Sequence, residues 1–345
     1  MRALAINDDF MNPRVSLVPR TAQTSIQRRC ARVLVALAAA IASAAAFAWP
    51  DQPITIIVPY TPGTGVDVLA RQLASRLPAA LGQPVVVENV PGASSTIGTD
   101  KAAHAKPDGY TFLAQTQGLV TSPSLYKRLT FDPQSDLVPV SLTGWSSFVL
   151  VVPASSPVRT LPELVAAAAA APGKLTYATP GVGTQHHVAT VLLMQKAGIT
   201  MLHVPYKGTA GAAADLLGGR IDCMLLTVSV ALPHIQSGKL VALATSSPRR
   251  LPQLPAVPTF AEARLDVGNL DIWHGLLAPK GTPADIVDRM NREIAAIAAT
   301  PGFAAALDAQ GIVPATSTPA EFGKLLAHEY VHWAGVIDRA GIKGE

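Results

Sequence analysis

Cysteine is almost absent: the 345 residues contain two, Cys30 and Cys223. A disulfide framework is therefore excluded as the source of stability. Cys223 lies in the apolar run IDCMLLTV, where a small buried hydrophobe is expected rather than a nucleophile. Charge is scarce as well, at 14% of residues against 49% hydrophobic. Disorder needs the opposite balance, so a folded chain with a large core is expected. What little charge imbalance exists is local. Residues 1–48 carry Arg2, Arg14, Arg20, Arg28, Arg29 and Arg32 against Asp8 and Asp9, and of the 27 basic and 23 acidic residues in the whole chain the remainder holds 21 of each. A neutral body without a basic run excludes nucleic-acid binding by phosphate neutralisation. Long apolar runs are missing too: the uncharged stretch at 33–48 has 16 residues, short of the ~20 that span a bilayer.

That stretch, VLVALAAAIASAAAFA, follows Arg28, Arg29 and Arg32 and ends in Ala46-Phe47-Ala48. A basic start, an apolar middle and a small-x-small exit predict a secretory signal peptide over 1–48, cleaved after Ala48, and a periplasmic mature protein. A membrane anchor is the alternative reading. Arg28-Arg29 is a twin-arginine pair, but the residues after it fit that route poorly, and general export is expected. Residues 1–25 are longer than a usual basic start, which leaves room for a start downstream of Met1. Cys30 precedes the apolar stretch and so is not a lipoprotein cysteine.

Past residue 48, strand and helix signals alternate. QPITIIVPY (52–60) is a β-branched run closed by proline, and the next segment (66–81) spaces Val68, Leu69, Leu73, Leu77 and Leu81 as one helix face. A strand over 84–90, a short helix towards Ala105 and a strand over 109–116 follow. A second set runs through strands at 148–153, 174–180, 201–208, 220–228 and 240–247, with helices at 160–171, 186–198 and 210–219. This pattern predicts an α/β fold with parallel, doubly wound sheets covered on both faces. The length suits two domains. The last part, with two helices, is too small to stand alone and is expected to return to the first. The expected division is 49–150 plus 266–345 for one lobe and 151–265 for the other, joined by two crossings.

In open α/β sheets, ligands sit beyond the carboxyl ends of strands, where loops lead into helix N-termini. Four loops here are rich in Gly, Ser and Thr: 60–65 (Tyr60, Pro62, Gly63, Thr64), 91–96 (Ser94, Ser95), Thr116-Gln117-Gly118, and 179–184 (Gly181, Val182, Gly183, Thr184). Glycine allows close backbone approach, and helix N-termini offer unpaired N–H groups to an anion. Taken singly, each is an ordinary tight turn; together, in both lobes, they predict a shared cleft. Asp67, near the start of the first helix, can cap free N–H groups and joins the first loop as a site candidate. Neither a dinucleotide fingerprint nor a phosphate loop is present, and no cofactor is implied.

The segments ITIIVPYTPGTGVDVLARQLA, VVVENVPGASSTIG, AKPDGYTFL, KLTYATPGVGTQHHVA, HVPYKGTAGAAADLLGGRID, ALPHIQSGKLVALA and LLAPKGTPADIVDRMN resemble, in order, the receptors of tripartite tricarboxylate transporters, also called Bug-type binding proteins. The resemblance runs from Trp49 almost to the end of the chain. It implies a type II-like periplasmic binding protein of two lobes with the ligand cleft between them. It also implies that a small carboxylate, or a related aromatic acid or amide, is captured and handed to membrane permease subunits. A monomer is expected. By resemblance, Pro62-Gly63-Thr64 receives the ligand in the first lobe. Gly181-Val182-Gly183-Thr184 with His187 receives it in the second, backed by Tyr206-Lys207-Gly208. Two departures stand out: the family has paired glycines where Gly63-Thr64 stand, and Gly-Gly with a preceding Arg where Ser94-Ser95 and Val90 stand. Lys207 is then the only cation in the candidate loops, so ligand charge is expected to meet amide dipoles and water rather than an Arg clamp.

One competing motif is literal. His328-Glu329-Tyr330-Val331-His332 reads HExxH, with Gly335 and Asp338 beyond it, the spacing of a zinc hydrolase helix. No Met follows Met290 to supply the supporting turn, and the expected alternative is an amphipathic helix with Tyr330, Trp333 and Ile337 packed inward and both histidines in solvent. His104, His203, His234 and His274 are scattered. No Gly-x-Ser-x-Gly elbow occurs, although a Ser–His pair assembled from distant segments remains open. The readings to separate are therefore a solute receptor, a secreted zinc hydrolase, and a ligand sensor for a signalling protein.

Overall fold

Alternation builds the first sheet. In β1 (Ile54–Val58), Ile54, Ile56 and Val58 enter one apolar cluster and Ile57 enters another. β3 (Thr111–Gln115) divides likewise, Phe112 and Ala114 against Leu113, and so does β10 (Ile272–Pro279), Leu276 and Ala278 against Leu277. Successive strand side chains point to opposite faces, so two clusters mean two covered faces. These strands belong to a computed structural model that describes residues 49–268 and 270–342. The segment 1–48, with the expected signal peptide, its expected cleavage after Ala48 and Cys30, lies outside the described residues.

With β2 (Val85–Asn89), β4 (Leu137–Ser146) and β11 (Ile312–Pro314), the sheet has the order β11-β4-β10-β3-β1-β2. β1 is parallel to β2 and β3, whereas β10 runs antiparallel to both β3 and β4. The sheet is thus mixed, not parallel throughout as the strand–helix alternation predicts. β10 does not reach β3 through a helical crossover, which would impose parallel pairing. It arrives after an excursion through a second sheet. One face of the first sheet is covered by α1 (Gly65–Ala74), α2 (Leu77–Leu81), α9 (Ala284–Ala298) and α10 (Pro301–Asp308), which supply Leu69, Leu73, Leu77, Met290, Ile294 and Phe303. The other receives α3 (Thr96–Ala103), α4 (Gly118–Leu125) and α11 (Pro319–Ala340), with Ala102, Leu119, Val120, Phe322 and Trp333. Three helices follow β10 rather than two.

The second sheet centres on β5 (Phe148–Pro153), wholly buried between β8 (Met224–Thr227) and β9 (Leu240–Thr245) and antiparallel to both. β6 (Thr176–Thr179) pairs in parallel with β7 (Leu202–Pro205) and joins β8 through a bridge from Tyr177 to Cys223. Burial pushes the Cys223 thiol up to about 12, so it is an inert core group. Helices α5 (Leu161–Ala170), α6 (Gln185–Ala197), α7 (Thr209–Leu217) and α8 (Val228–Gln236) flank these strands.

The chain passes between the sheets at Ser147 and returns through 246–271. The two passages are tied together. The Phe148 N–H donates to Ser246 Oγ at 2.8 Å, and that hydroxyl donates to Asp271 Oδ1 at 2.8 Å. Gln117 Nε2 donates to the Asp271 carbonyl at 3.1 Å. Burial raises the pKa of the Asp271 carboxyl, against hydrogen bonds from Ser246 and Ser147 that lower it. The cluster containing Phe322 and Trp333 of α11 continues through Leu150, Val188 and Leu243, so one apolar core runs from the first sheet into the second.

Candidate functional site

Between the sheets lies a cavity of about 470 Å³. Its wall is built from helix beginnings: Thr64, Gly65 and Val66 at α1, Gly118 at α4, Thr184, Gln185 and His186 at α6, Gly208 and Thr209 at α7, and Thr227 before α8. The first N–H groups of each helix have no intrahelical partner, and the aligned peptide dipoles leave about half a positive charge at each start. No Asp or Glu lines this wall, and Lys207, which is exposed, is its one cationic side chain. His186 and His274, also on the wall, are held neutral by burial, each near pKa 3. A cavity edged by five helix starts and free of carboxylates is arranged for an anion.

The first-lobe loop is shaped from behind. Asp67, 2% exposed, accepts from Gly63 N–H at 2.9 Å, from Arg71 Nε at 3.0 Å and from Asn89 Nδ2 at 2.8 Å. Burial opposes its ionisation, but these bonds outweigh burial and leave its pKa below the usual value. Tyr60 donates to Gln115 Oε1 at 2.8 Å, and a Cβ on Gly118 would stand 2.5 Å from Tyr60 Oη, so residue 118 must be glycine for the loops to meet. Ala93, Ser94 and Ser95 all have positive φ, at 42°, 49° and 81°, a conformation that costs a non-glycine residue roughly 1–2 kcal/mol. Ser94 uses it to donate to Val182 O at 2.8 Å, a hydrogen bond across the cleft.

In the second lobe, Thr184 Oγ1 donates to Gly181 O at 2.8 Å and the Gly183 N–H donates to His187 Nδ1 at 3.1 Å. His187 stacks on His203 with ring centroids 4.0 Å apart, and Tyr177 stacks on His203 at 4.9 Å. Burial, and then the neighbouring His203, bring His187 down to about 4.

Of the residues singled out by sequence, Tyr60, Thr64, Ser94, Ser95, Thr116, Gly118, Gly181, Val182, Thr184, Tyr206, Lys207 and Gly208 line the cavity. Pro62, Gly63, Asp67, Gln117, Gly183 and His187 do not. Asp67 and Gly63 bond to each other behind their loop, Gln117 braces the inter-sheet passage, and His187 faces the His203 stack. The neighbour of His187, His186, takes the wall position instead. Successive helix residues diverge by about 100°, and here it is His186 that lines the cleft while His187 turns to the His203 stack. Gln185, Thr209, Thr227 and His274 were missed. Gln185 and Thr209 begin helices after recognised loops, a usable signal; nothing local marks His274.

His274 forms the pair left open by the sequence, with Ser146 Oγ 2.7 Å from its Nε2. Its Nδ1 has no hydrogen-bond partner, so the orienting acid of a catalytic triad is missing, and a base near pKa 3 is far below the range useful at neutral pH. The HExxH residues lie on α11. His328 and His332 are exposed, Trp333 and Ile337 are buried, Tyr330 donates to Pro133 O at 3.0 Å, and Glu329 Oε2 accepts from the Trp333 indole at 2.8 Å. Among the described residues, no three His, Cys, Asp or Glu side chains converge. Glu329→Ala is expected to cost about 1 kcal/mol of stability through the lost indole bond, and His328→Ala nothing measurable, with ligand affinity unchanged in both. Urea unfolding and calorimetry test this; loss of function from Glu329→Ala at unchanged stability would restore a catalytic role.

The sequence model of the family described as "Tripartite tricarboxylate transporter family receptor" matches residues 69–342. Protein BugT of Bordetella pertussis (strain Tohama I) is 38% identical over 313 residues, 90% of this chain and 96% of BugT. The structure of the periplasmic binding protein BugD superposes with a TM-score of 0.81 at 33% identity, covering 86% of this chain and 100% of BugD. The R. palustris protein Rpa4515, solved with adipate, superposes with a TM-score of 0.83 at 31% identity, covering 86% of this chain and 100% of its own.

Proposed function

The chain belongs to the receptor family of the tripartite tricarboxylate transporters, solute-binding proteins rather than enzymes, and from that membership we propose that it captures a small organic carboxylate in the periplasm and delivers it to membrane permease subunits. The observation that carries the ligand class is the wall of the cavity: five helix starts and no carboxylate side chain. The adipate of Rpa4515 is a ligand of the same chemistry. In this reading the carboxylate sits between Thr64-Gly65 of one lobe and Gly181–Thr184 of the other. The lobes divide at 49–150 plus 266–345 and 151–265, and the protein acts as a monomer. Residues 1–48 are the export signal, removed after Ala48. Among the described residues no helix is long and apolar enough to cross a membrane, so uptake requires a separate partner.

Thermal unfolding against a panel of mono-, di- and tricarboxylates, each beside its uncharged diamide or ester, tests the reading. A binder stabilises the folded state by RT ln(1 + [L]/Kd). At least one carboxylate should raise the midpoint in that way while its uncharged counterpart does not. Stabilisation by cations or neutral sugars alone, with none by any carboxylate, would overturn it.

A further inference from the structure

Gln185 opens α6, lines the cavity and is 5% exposed, yet neither Nε2 nor Oε1 of its amide has a hydrogen-bond partner. The Nε2 of the next residue, His186, is buried and likewise without a partner, and its ring is fixed edge-on against Phe148 at 4.8 Å. Buried polar atoms are nearly always paired, because leaving one unpaired forfeits its hydration without return. Three such atoms on adjacent residues of one cavity wall form a built subsite. From these we infer that Gln185 and His186 select a second group on the ligand, close to the carboxylate, and that this group is uncharged and carries both a hydrogen-bond donor and an acceptor, such as a carboxamide. The inference rests on the carboxylate-receptor reading and adds a second recognised group of the solute to it.

The chemistry follows from what an amide offers. Its NH2 donates and its carbonyl accepts, so a carboxamide answers both atoms side by side. A second carboxylate would satisfy the NH2 and set its other oxygen against the Gln185 carbonyl, acceptor against acceptor. His186 is uncharged at neutral pH and supplies no compensating cation.

Matched pairs separate the possibilities: succinate and succinamate, glutarate and glutaramate, adipate and its monoamide, titrated by calorimetry. In at least one pair the monoamide should bind tenfold or more tightly than the diacid. Gln185→Leu, nearly equal in volume, should erase that preference, bringing the two members of the pair to within about threefold of each other. Circular dichroism and the unfolding midpoint establish that the variant is folded, and Gln185→Asn, with the amide set back, should retain part of the preference if it fails. Equal affinities within every pair would mean that water satisfies Gln185, and would overturn the inference alone. A preference for the diacid that disappears in Lys207→Met would assign the second group to Lys207 and also overturn it. Binding of neither member of any pair, with no carboxylate in the panel stabilising the protein, would remove the underlying reading as well.

Discussion

A Gly183→Val variant is expected to lose ligand affinity by about a hundredfold or more. Residue 183 has φ of +75°, and a Cβ there would stand 2.1 Å from Leu125 Cδ1 and 3.0 Å from its Cγ. Leu125 closes α4 on the first-sheet side and is itself buried, so it cannot simply swing away. Overpacking costs roughly 1–3 kcal/mol, and a left-handed conformation adds roughly 1–2 kcal/mol to a residue with a Cβ. A total of about 3 kcal/mol corresponds to about a hundredfold in affinity, because the cheapest relief is for the two sides of the cleft to part. Gly63→Val is the control. Its φ of +84° imposes the same conformational strain, but a Cβ there meets nothing within 4 Å, so a much smaller loss is expected. Calorimetry gives the affinities and small-angle scattering the spacing of the lobes. If the two variants bind alike, the contact with Leu125 has no part in closing the cleft.

The largest effect on stability is expected from Phe322→Ala, at about 3–5 kcal/mol. Phe322 is 0% exposed and stands edge-on to Trp273 with centroids 5.5 Å apart. Its ring occupies the space over Gly275, where a Cβ would lie 2.1 Å from the Phe322 Cζ. A side chain fitted this closely leaves a cavity when removed, since the strand beneath it is held on both sides by β3 and β4 and cannot collapse inward. Val331→Ala on the same helix, at a site 77% exposed, should change stability by no more than about 0.5 kcal/mol. Equilibrium urea unfolding compares them; a loss below 1 kcal/mol for Phe322→Ala would show that α11 is not fastened to the sheet at this point.

Much of this arrangement was readable because the informative signals are local. The run QPITIIVPY followed by glycine-rich TPGTG marks a strand, a turn and a helix start without reference to anything distant, and twelve of the eighteen site candidates line the cavity. The motifs that resemble the tripartite tricarboxylate receptors are of the same local kind, and that resemblance holds. What failed was decided by partners far along the chain. Asp67 was legible as an acid in a first turn, but that Asn89 joins its helix neighbour Arg71 in holding it behind the loop depends on β2. His274 reaches the wall because β10 pairs with β4, which sets it beside Ser146, 128 positions away. Helices α4 and α8 each contain a proline, Pro123 and Pro233, which argues against helix locally and hid both. Strand β4 passed unread because LVPVSLTGWS mixes polar residues into its buried positions, among them Ser141, Thr143 and Ser146.

The place of β10 has a bearing on how the chain comes to be folded at all. A nascent chain that stops short of residue 272 has made β3 and β4 but not the strand that belongs between them, so the first sheet would have a gap at its centre and two open edges. The strands β5 to β9 are all present once residue 245 has been made. The interior stretch can therefore acquire its sheet while the ribosome is still at work, whereas β3 and β4 must wait for β10, their pairing with it delayed by separations of more than a hundred residues and by the loop entropy that such separations carry.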